Sequence, residues 1–363
     1  MIRILQVVTH MNRGGLETML MNYYRHIDRD KMQFDFLVHR PYRADYDDEI
    51  ESMGGRIYRI GKLVPWSGSY KKELRAFFAE HPEYRIIHVH QDCLSGVILK
   101  EAKAAGIPVR IAHSHNANQD KDLKYPIKLF YRRLIPEYST DLFACGKDAG
   151  EWMFRNAPFR VLANAIDAAQ YAPDEGKRIF ARESLGIGRD TFIVGHVGSF
   201  TPHKNHLGLI DIFEAIHRKN PDSVLLLVGN DKRPLADRIK ETVKEKGLDQ
   251  CVIFTGVRSD VPDLLQAMDA FVFPSLYEGL PVTLIEAQSS GLRCFVSDRV
   301  SAECDVTGLI ESISLESPAE KWAECVLAGD HGHTDTYEKI AAAGYDITEN
   351  ARWLRNFYED KAK

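Results

Sequence analysis

The sequence has no apolar stretch able to cross a bilayer: runs such as Ser223 to Gly229 fall far short of the roughly 20 residues a spanning helix needs. It opens directly into a strand-like run, Ile2-Arg3-Ile4-Leu5-Gln6-Val7-Val8, without the apolar stretch and small-residue cleavage site of a signal peptide. A cytoplasmic protein is therefore expected. The six cysteines include no C-x-x-C pair and no histidine at zinc-finger spacing, which points to free buried thiols rather than a disulfide frame. A formal net charge of −5 provides no general basic face for phosphate neutralisation, so no nucleic-acid partner is expected. There is no repeat of solenoid length and no low-complexity tract. There is also no G-x-G-x-x-G and no acidic residue placed as a ribose hook after the second strand, which argues against a nicotinamide-dependent dehydrogenase.

What is present is an alternation of short β-branched runs with longer amphipathic segments, the pattern of parallel sheets covered by crossover helices. Strands are predicted near 2–8, 33–38, 86–90, 108–113, 142–145 and 160–164, then at 192–198, 223–229, 252–256, 270–275 and 293–297. The runs of the second series lack alternation, as expected of strands buried on both faces. A length of 363 residues exceeds what one core usually supports, so two α/β domains with a cleft between them are expected. Turn formers from Asn164 to Gly176 mark the boundary, near residue 170. After Tyr345 an amphipathic segment offers Trp353, Leu354 and Phe357 as a packing face for either domain.

Four stretches carry chemistry. In Pro274-Ser275-Leu276-Tyr277-Glu278-Gly279-Leu280-Pro281-Val282-Thr283-Leu284-Ile285-Glu286, a strand runs into a helix start with a proline expected in its first turn. A helix start beside a strand's carboxyl end suits a diphosphate, and Glu278 and Glu286 can accept hydrogen bonds from a sugar and a ribose. A surface-loop glutamate and a helix-face glutamate would show the same spacing. Gly195-His196-Val197-Gly198-Ser199, followed by His203-Lys204-Asn205, places Lys204 near a helix start, against the dipole, where a nearby anion would explain it; a solvated lysine is the plainer reading. Asn12-Arg13-Gly14-Gly15-Leu16-Glu17 follows the first strand, and its glycines allow close approach to a ligand or simply make a tight turn.

Finally, His113 and His115 leave one strand as His88 and His90 end another, and i, i+2 spacing puts each pair on one face. That raises a metal site, but no clustered Asp or Cys ligands accompany them, so hydrogen-bonded neutral imidazoles in a polar cleft are preferred, with one touching a sugar hydroxyl or relaying a proton. The D-x-D triplets at Asp28/Asp30, Asp45/Asp47 and Asp120/Asp122 are read as solvated turn or helix-end acids, not as a metal-diphosphate site. The basic amphipathic stretch 121–134, with Lys121, Lys124, Lys128, Arg132 and Arg133 among Leu123, Ile127, Phe130 and Leu134, is a helix docked on its own domain or a peripheral membrane contact at the inner face.

Together these residues resemble the retaining GT-B glycosyltransferases of family four (glycosyl transferases group 1), especially bacterial capsular and exopolysaccharide enzymes. The resemblance rests on the E-x7-E pair Glu278 and Glu286, the Gly-Gly-Leu-Glu loop at 14–17, His-Ser-His-Asn at 113–116, Asn164-Ala165-Ile166-Asp167 and His203-Lys204-Asn205, in the expected order over nearly the whole chain. It implies two Rossmann-like domains facing across a cleft. An N-terminal acceptor domain would span 1–168, rejoined by a C-terminal helix at about 346–363, and a nucleotide-sugar domain would span 169–345. It implies Glu286 on the donor ribose, Glu278 on the transferred sugar, Lys204 on the diphosphate and His113 near the reacting carbon. Backbone at Gly14, Gly15, Gly279, Leu280, Pro281 and Val282 would hold phosphates, with Gly256, Val257 and Arg258 facing the base. Ser199 stands where the family often has an arginine, leaving one expected phosphate cation missing, which Arg258 is positioned in the sequence to replace. No metal or other cofactor is expected. The partners implied are a nucleotide-sugar donor, a UDP-sugar, and a saccharide or lipid-linked acceptor. A catalytically silent nucleotide-sugar-binding protein and a nucleotide-sugar 2-epimerase or hydrolase on the same architecture remain open alternatives.

Overall fold

The computed structural model describes residues 1–116, 125–231, 234–278 and 280–363. The chain forms two compact units, Met1–Ala165 with Ile347–Lys363, and Ile166–Asp346. The boundary thus falls at Ala165/Ile166 rather than at 168/169, because Ile166 already joins the second unit by donating its N–H to the Tyr345 carbonyl at 2.9 Å.

The first unit is built on a seven-stranded parallel sheet of β1 (Ile2–Val8), β2 (Met32–Val38), β3 (Ile57–Arg59), β4 (Ile86–Val89), β5 (Val109–Ser114), β6 (Asp141–Ala144) and β7 (Arg160–Val161), in the order β3-β2-β1-β4-β5-β6-β7. β1 pairs with β2 on one side (Ile4↔Phe34) and β4 on the other (Ile4↔Ile86), so the strand order reverses between β1 and β4. Its apolar residues point alternately to two cores. One gathers Ile4, Phe34, Phe36 and Ile111 under the helix Gly15–His26 and the C-terminal helix; the other gathers Leu5, Leu37, Ile87 and Val89 under the helices Gly68–Glu80 and Ser95–Ala104. The C-terminal helix Ile347–Ala362 buries Ile347, Ala351, Leu354 and Tyr358 in the first of these cores. Trp353 and Phe357 are half-buried, both packed on Phe143.

The second unit carries a six-stranded parallel sheet of β8 (Phe192–Val197), β9 (Ser223–Val228), β10 (Val252–Gly256), β11 (Ala270–Phe273), β12 (Cys294–Ser297) and β13 (Ile310–Ile313), ordered β10-β9-β8-β11-β12-β13. Its order reverses between β8 and β11. Val194, Leu225, Leu227, Val272 and Phe295 form a core with Phe213, Ile216 and Trp322 from the covering helices. The Met268 side chain, from the turn before β11, packs so closely on β8 that a Cβ on Gly195 would lie 1.9 Å from its sulfur. Both sheets are doubly wound Rossmann-like sheets, whose ligand sites characteristically lie beyond the carboxyl ends of the strands at the reversal.

The cysteines are all free, five of them buried. No helix among the described residues is long and apolar enough to cross a membrane.

Candidate active site

In the second unit the reversal point brings together residues from two βα turns. After β8 the chain passes Gly198 and Ser199, makes a short turn at Pro202–Lys204 and enters the helix His206–Lys219. Asn205 sits left-handed at φ 54° and caps that helix by accepting the Gly208 N–H. Lys204 therefore precedes the cap rather than lying in the first turn. Its stem lies against Gly198, where a Cβ would meet it at 3.5 Å, and its ammonium sits 4.4 Å from the Phe273 ring centre and 2.7 Å from Glu278 Oε1. Burial lowers the Lys204 pKa, an effect that Glu278 opposes. Glu278 lies in the loop after β11, paired with Val300 by an isolated bridge, and His203 Nε2 is 3.6 Å from the same carboxylate oxygen. One cation and one carboxylate of the expected set are thus already in contact, and an anionic ligand has a half-buried ammonium to compete for.

The following helix, Val282–Ser289, starts behind Pro281, which is its N-cap and not a residue of its first turn. Residue 279 lies outside the described residues; Leu280 is half-buried and Pro281 buried. Val282 opens the helix, and Glu286 is buried on it. Burial raises the Glu286 pKa to about 7, while a hydrogen bond donated by Tyr171 Oη to Oε1 at 3.0 Å favours the ionised form. Tyr171 is itself fixed, since its carbonyl accepts from Gln266 Nε2 at 2.9 Å. Sequence reasoning missed Tyr171; its position directly after the Asn-Ala-Ile-Asp motif was the one available signal.

Three neighbouring strands end in glycines: Gly198 after β8, Gly229 after β9 and Gly256 in β10. Gly198 N–H donates to Val228 O and Gly229 N–H to Gly256 O, and a Cβ on Gly229 would strike the Gly198 carbonyl at 2.0 Å. This glycine shelf keeps the strand ends low. Gly229, also missed in the sequence, is required both by this approach and by its φ of 156°. Val257 is exposed beside the shelf. Arg258 is bound to Asp260, with Nε 2.8 Å from Oδ1, as Lys204 is paired with Glu278.

In the first unit, Gly14 caps the helix Gly15–His26 and Gly15 begins it. Gly14 has a local reason, since a Cβ there would lie 2.5 Å from Glu17 Oε2, whereas a Cβ on Gly15 would meet nothing within 4 Å. Glu17 is buried 3.3 Å from His10 Nδ1, and desolvation raises its pKa to about 7. Asp45 accepts the Arg13 N–H at 3.0 Å and so anchors the glycine loop. Its neighbour Asp47 corrects the expectation of solvated acids: it is buried, accepts the Ala44 N–H at 3.0 Å and pairs with Arg59. Asp120 and Asp122 lie outside the described residues.

His113 is buried among other imidazoles, stacked on His88 at 5.1 Å and packed on His115 at 4.1 Å. Strand alternation turns both rings to the same face, but only His115, beyond the end of β5, is partly exposed. The expected sugar contact therefore does not fit His113, and the strand end presents His115 instead. Of the basic segment, residues 121–124 lie outside the described residues. The helix Tyr125–Arg132 has no buried residue and exposes Phe130 and Ile127. It leans on the helix Ser95–Ala104 at Gly96, where a Cβ would lie 2.8 Å from Tyr131 O, and Arg132 covers Trp152 at 4.8 Å.

The chain was compared with known proteins. Residues 13–170 match the Glycosyltransferase Family 4 profile and residues 177–309 the Glycosyl transferases group 1 profile. A Bacillus subtilis protein named putative glycosyltransferase EpsF is 37% identical over 98% of this chain and 96% of its own length. The chain belongs to the group 1, family 4 glycosyltransferases. It is accordingly a transferase. An Escherichia coli UDP-Gal:alpha-D-GlcNAc-diphosphoundecaprenol alpha-1,3-galactosyltransferase is 30% identical over 64% of this chain and 63% of its own. A Staphylococcus aureus capsular polysaccharide biosynthesis glycosyltransferase, CapH, is 25% identical over 99% of both. Among solved structures, the Anabaena protein HepE in complex with UDP and glucose superposes with a TM-score of 0.81 at 16% identity, over 99% of this chain and 100% of that one. That likeness establishes the GT-B fold.

Proposed function

We infer that this glycosyltransferase moves a hexosyl or N-acetylhexosaminyl group from a UDP-sugar to a saccharide or lipid-linked acceptor in polysaccharide assembly, with retention of anomeric configuration and without a metal at the diphosphate. The observation that carries this reading is the pairing of half-buried Lys204 with Glu278, with buried Glu286 on the helix that follows the Glu278 loop, at the reversal point of the second sheet. Glycosyl transfer builds positive charge on the sugar and negative charge on the departing diphosphate, so a site must stabilise both signs. Lys204 and the start of the helix Val282–Ser289 serve the diphosphate, Glu278 the sugar and Glu286 the ribose. Among the described residues none is placed as a covalent nucleophile, which favours attack from the leaving-group side, with the diphosphate taking the acceptor's proton.

The UDP preference is supported by the HepE complex with UDP and glucose and by the E. coli relative's named donor. A lipid-linked acceptor is supported by that relative's diphosphoundecaprenol substrate, and the role in polysaccharide assembly by CapH. Exposed Phe130 and Ile127 on the basic helix suit peripheral contact with the membrane that carries such an acceptor, and a cytoplasmic site is where the donor is available. The test is transfer from UDP-sugars to saccharides linked to a polyprenyl diphosphate, in the presence of EDTA, with the product anomer read by NMR. A product with the donor's configuration is expected. An inverted anomer overturns retention, and donor conversion without acceptor identifies an epimerase or hydrolase instead.

A further inference from the structure

The first unit contains a second chemical cluster, buried behind His115. β4 and β5 are adjacent parallel strands, and the i, i+2 histidines of each point to the same face. His88, His90 and His113 are thereby buried side by side under the helix Gly15–His26 and the C-terminal helix, walled by Met19, Leu20, Leu354 and Tyr358. One ligating nitrogen from each of the three lies within 4.8 Å of the others. Imidazoles stacked this closely are ordinarily explained by their hydrogen bonds, but these are short of partners: His88 Nε2 is buried without one, and His113 has at most a backbone contact at Leu162. Such unpaired groups are costly in an apolar core.

The bonds that do exist orient the rings. His88 Nδ1 lies 2.6 Å from Tyr358 Oη, and His90 Nδ1 lies 2.8 Å from His115 Nε2. With Nδ1 of His88 as donor to Tyr358, its Nε2 lone pair turns inward; His90 Nε2 donates to Gln6 Oε1, and ligation there would move that proton to Nδ1, facing His115 Nε2. Outer partners that fix ring tautomer in this way are characteristic of metal-bound histidines. Burial and the neighbouring rings hold all three far below the ordinary histidine pKa, so they remain neutral and able to ligate.

We propose that His88, His90 and His113 form a buried three-histidine site for a divalent transition-metal ion, zinc in the first instance, that ties β4 to β5 beneath the helices covering them. All-imidazole ligation suits zinc, cobalt, nickel or copper and not magnesium or calcium, which take oxygen. Zinc–nitrogen bonds of about 2.0–2.1 Å draw tetrahedral ligands to about 3.4 Å apart, which side-chain rotation within the cluster supplies. Gln6 Oε1, 2.9 Å from His90 Nε2, would yield that nitrogen to the ion and take the place beside the fourth position. The role is structural: none of the three ligands is among the residues proposed to hold the diphosphate.

The test uses the full-length chain with any affinity tag removed. Metal content is measured after gel filtration in chelator-free buffer, and the chelated protein is then titrated with cobalt(II) and followed by its visible ligand-field bands. Stoichiometric zinc, cobalt bands of a low-coordinate nitrogen site, and a melting temperature raised by zinc and lowered again by EDTA are expected. The variant His113→Leu should lose the bands. Should it fail to fold, the parent's own metal content and melting shift decide. A parent protein with background metal, no cobalt bands and no zinc-dependent shift overturns the proposal, as does a folded His113→Leu variant that binds cobalt like the parent.

Discussion

Glu286 shows how a single residue's environment sets its chemistry. Its carboxyl group is buried on the helix Val282–Ser289, which raises its pKa from the ordinary 4.5 to about 7, and the Tyr171 hydroxyl, 115 positions earlier, pulls the other way. Because the folded pKa is raised, the folded state holds this proton where the unfolded chain has lost it. The contribution to stability is therefore full below about pH 4.5 and is lost as pH rises through about 7. Relative to Glu286→Gln, which does not titrate, the parent should lose stability across that window and change no further above it. Adding Tyr171→Phe to the parent should extend the window upward, since the lost bond favoured the charged form. Urea unfolding between pH 4 and pH 9 checks both; a difference between parent and Glu286→Gln that is flat with pH would contradict the buried carboxyl.

At the scale of elements, the C-terminal helix Ile347–Ala362 belongs to the first unit, held by Leu354 and Tyr358 in the core that also contains Phe34 and Ile111. Truncating Leu354 to alanine should cost about 2–5 kcal/mol by denaturant unfolding, because a fully packed leucine leaves a cavity that the sheet cannot fill. A loss under about 1 kcal/mol would mean that the helix is only loosely attached. The long strands were legible because residues buried on both faces read as apolar runs, as in Ser223–Val228 and Ala270–Phe273. Two strands were not: Ile57–Arg59 and Ile310–Ile313 are short edge strands with polar residues and partial exposure, so no run marks them. The candidate site was legible where motifs are local, at Glu278, Glu286 and Lys204. It was not legible where the contact is long-range, as in Tyr171 on Glu286, or where burial decides between equivalent residues. His113 and His115 share a face, and only the position of the strand end relative to the covering helices distinguishes them.

At the scale of the whole molecule, the chain has two doubly wound units, each with a functional cluster at the reversal of its sheet. In the first these are the glycine loop after β1 and the histidines that end β4 and β5. In the second they are Lys204 after β8 and the two glutamates after β11. Membership of the group 1, family 4 glycosyltransferases makes the second unit the donor site in this reading, and its own residues make a specific statement about binding. Lys204 is a half-buried cation whose present partner, Glu278, is a carboxylate that a diphosphate can replace, and Glu286 is a buried carboxylate available to a diol. The most direct measurement is calorimetric titration with UDP in EDTA of the parent, Lys204→Ala and Glu286→Ala, with GDP, ADP and TDP alongside. The parent should bind UDP in preference to the other nucleotides. Each substitution should weaken binding by about 10- to 100-fold, the value of a charge-assisted hydrogen bond of about 1.5–3 kcal/mol. A parent that binds none of the four nucleotides, or substitutions that leave UDP affinity unchanged, would contradict the assignment of the donor site.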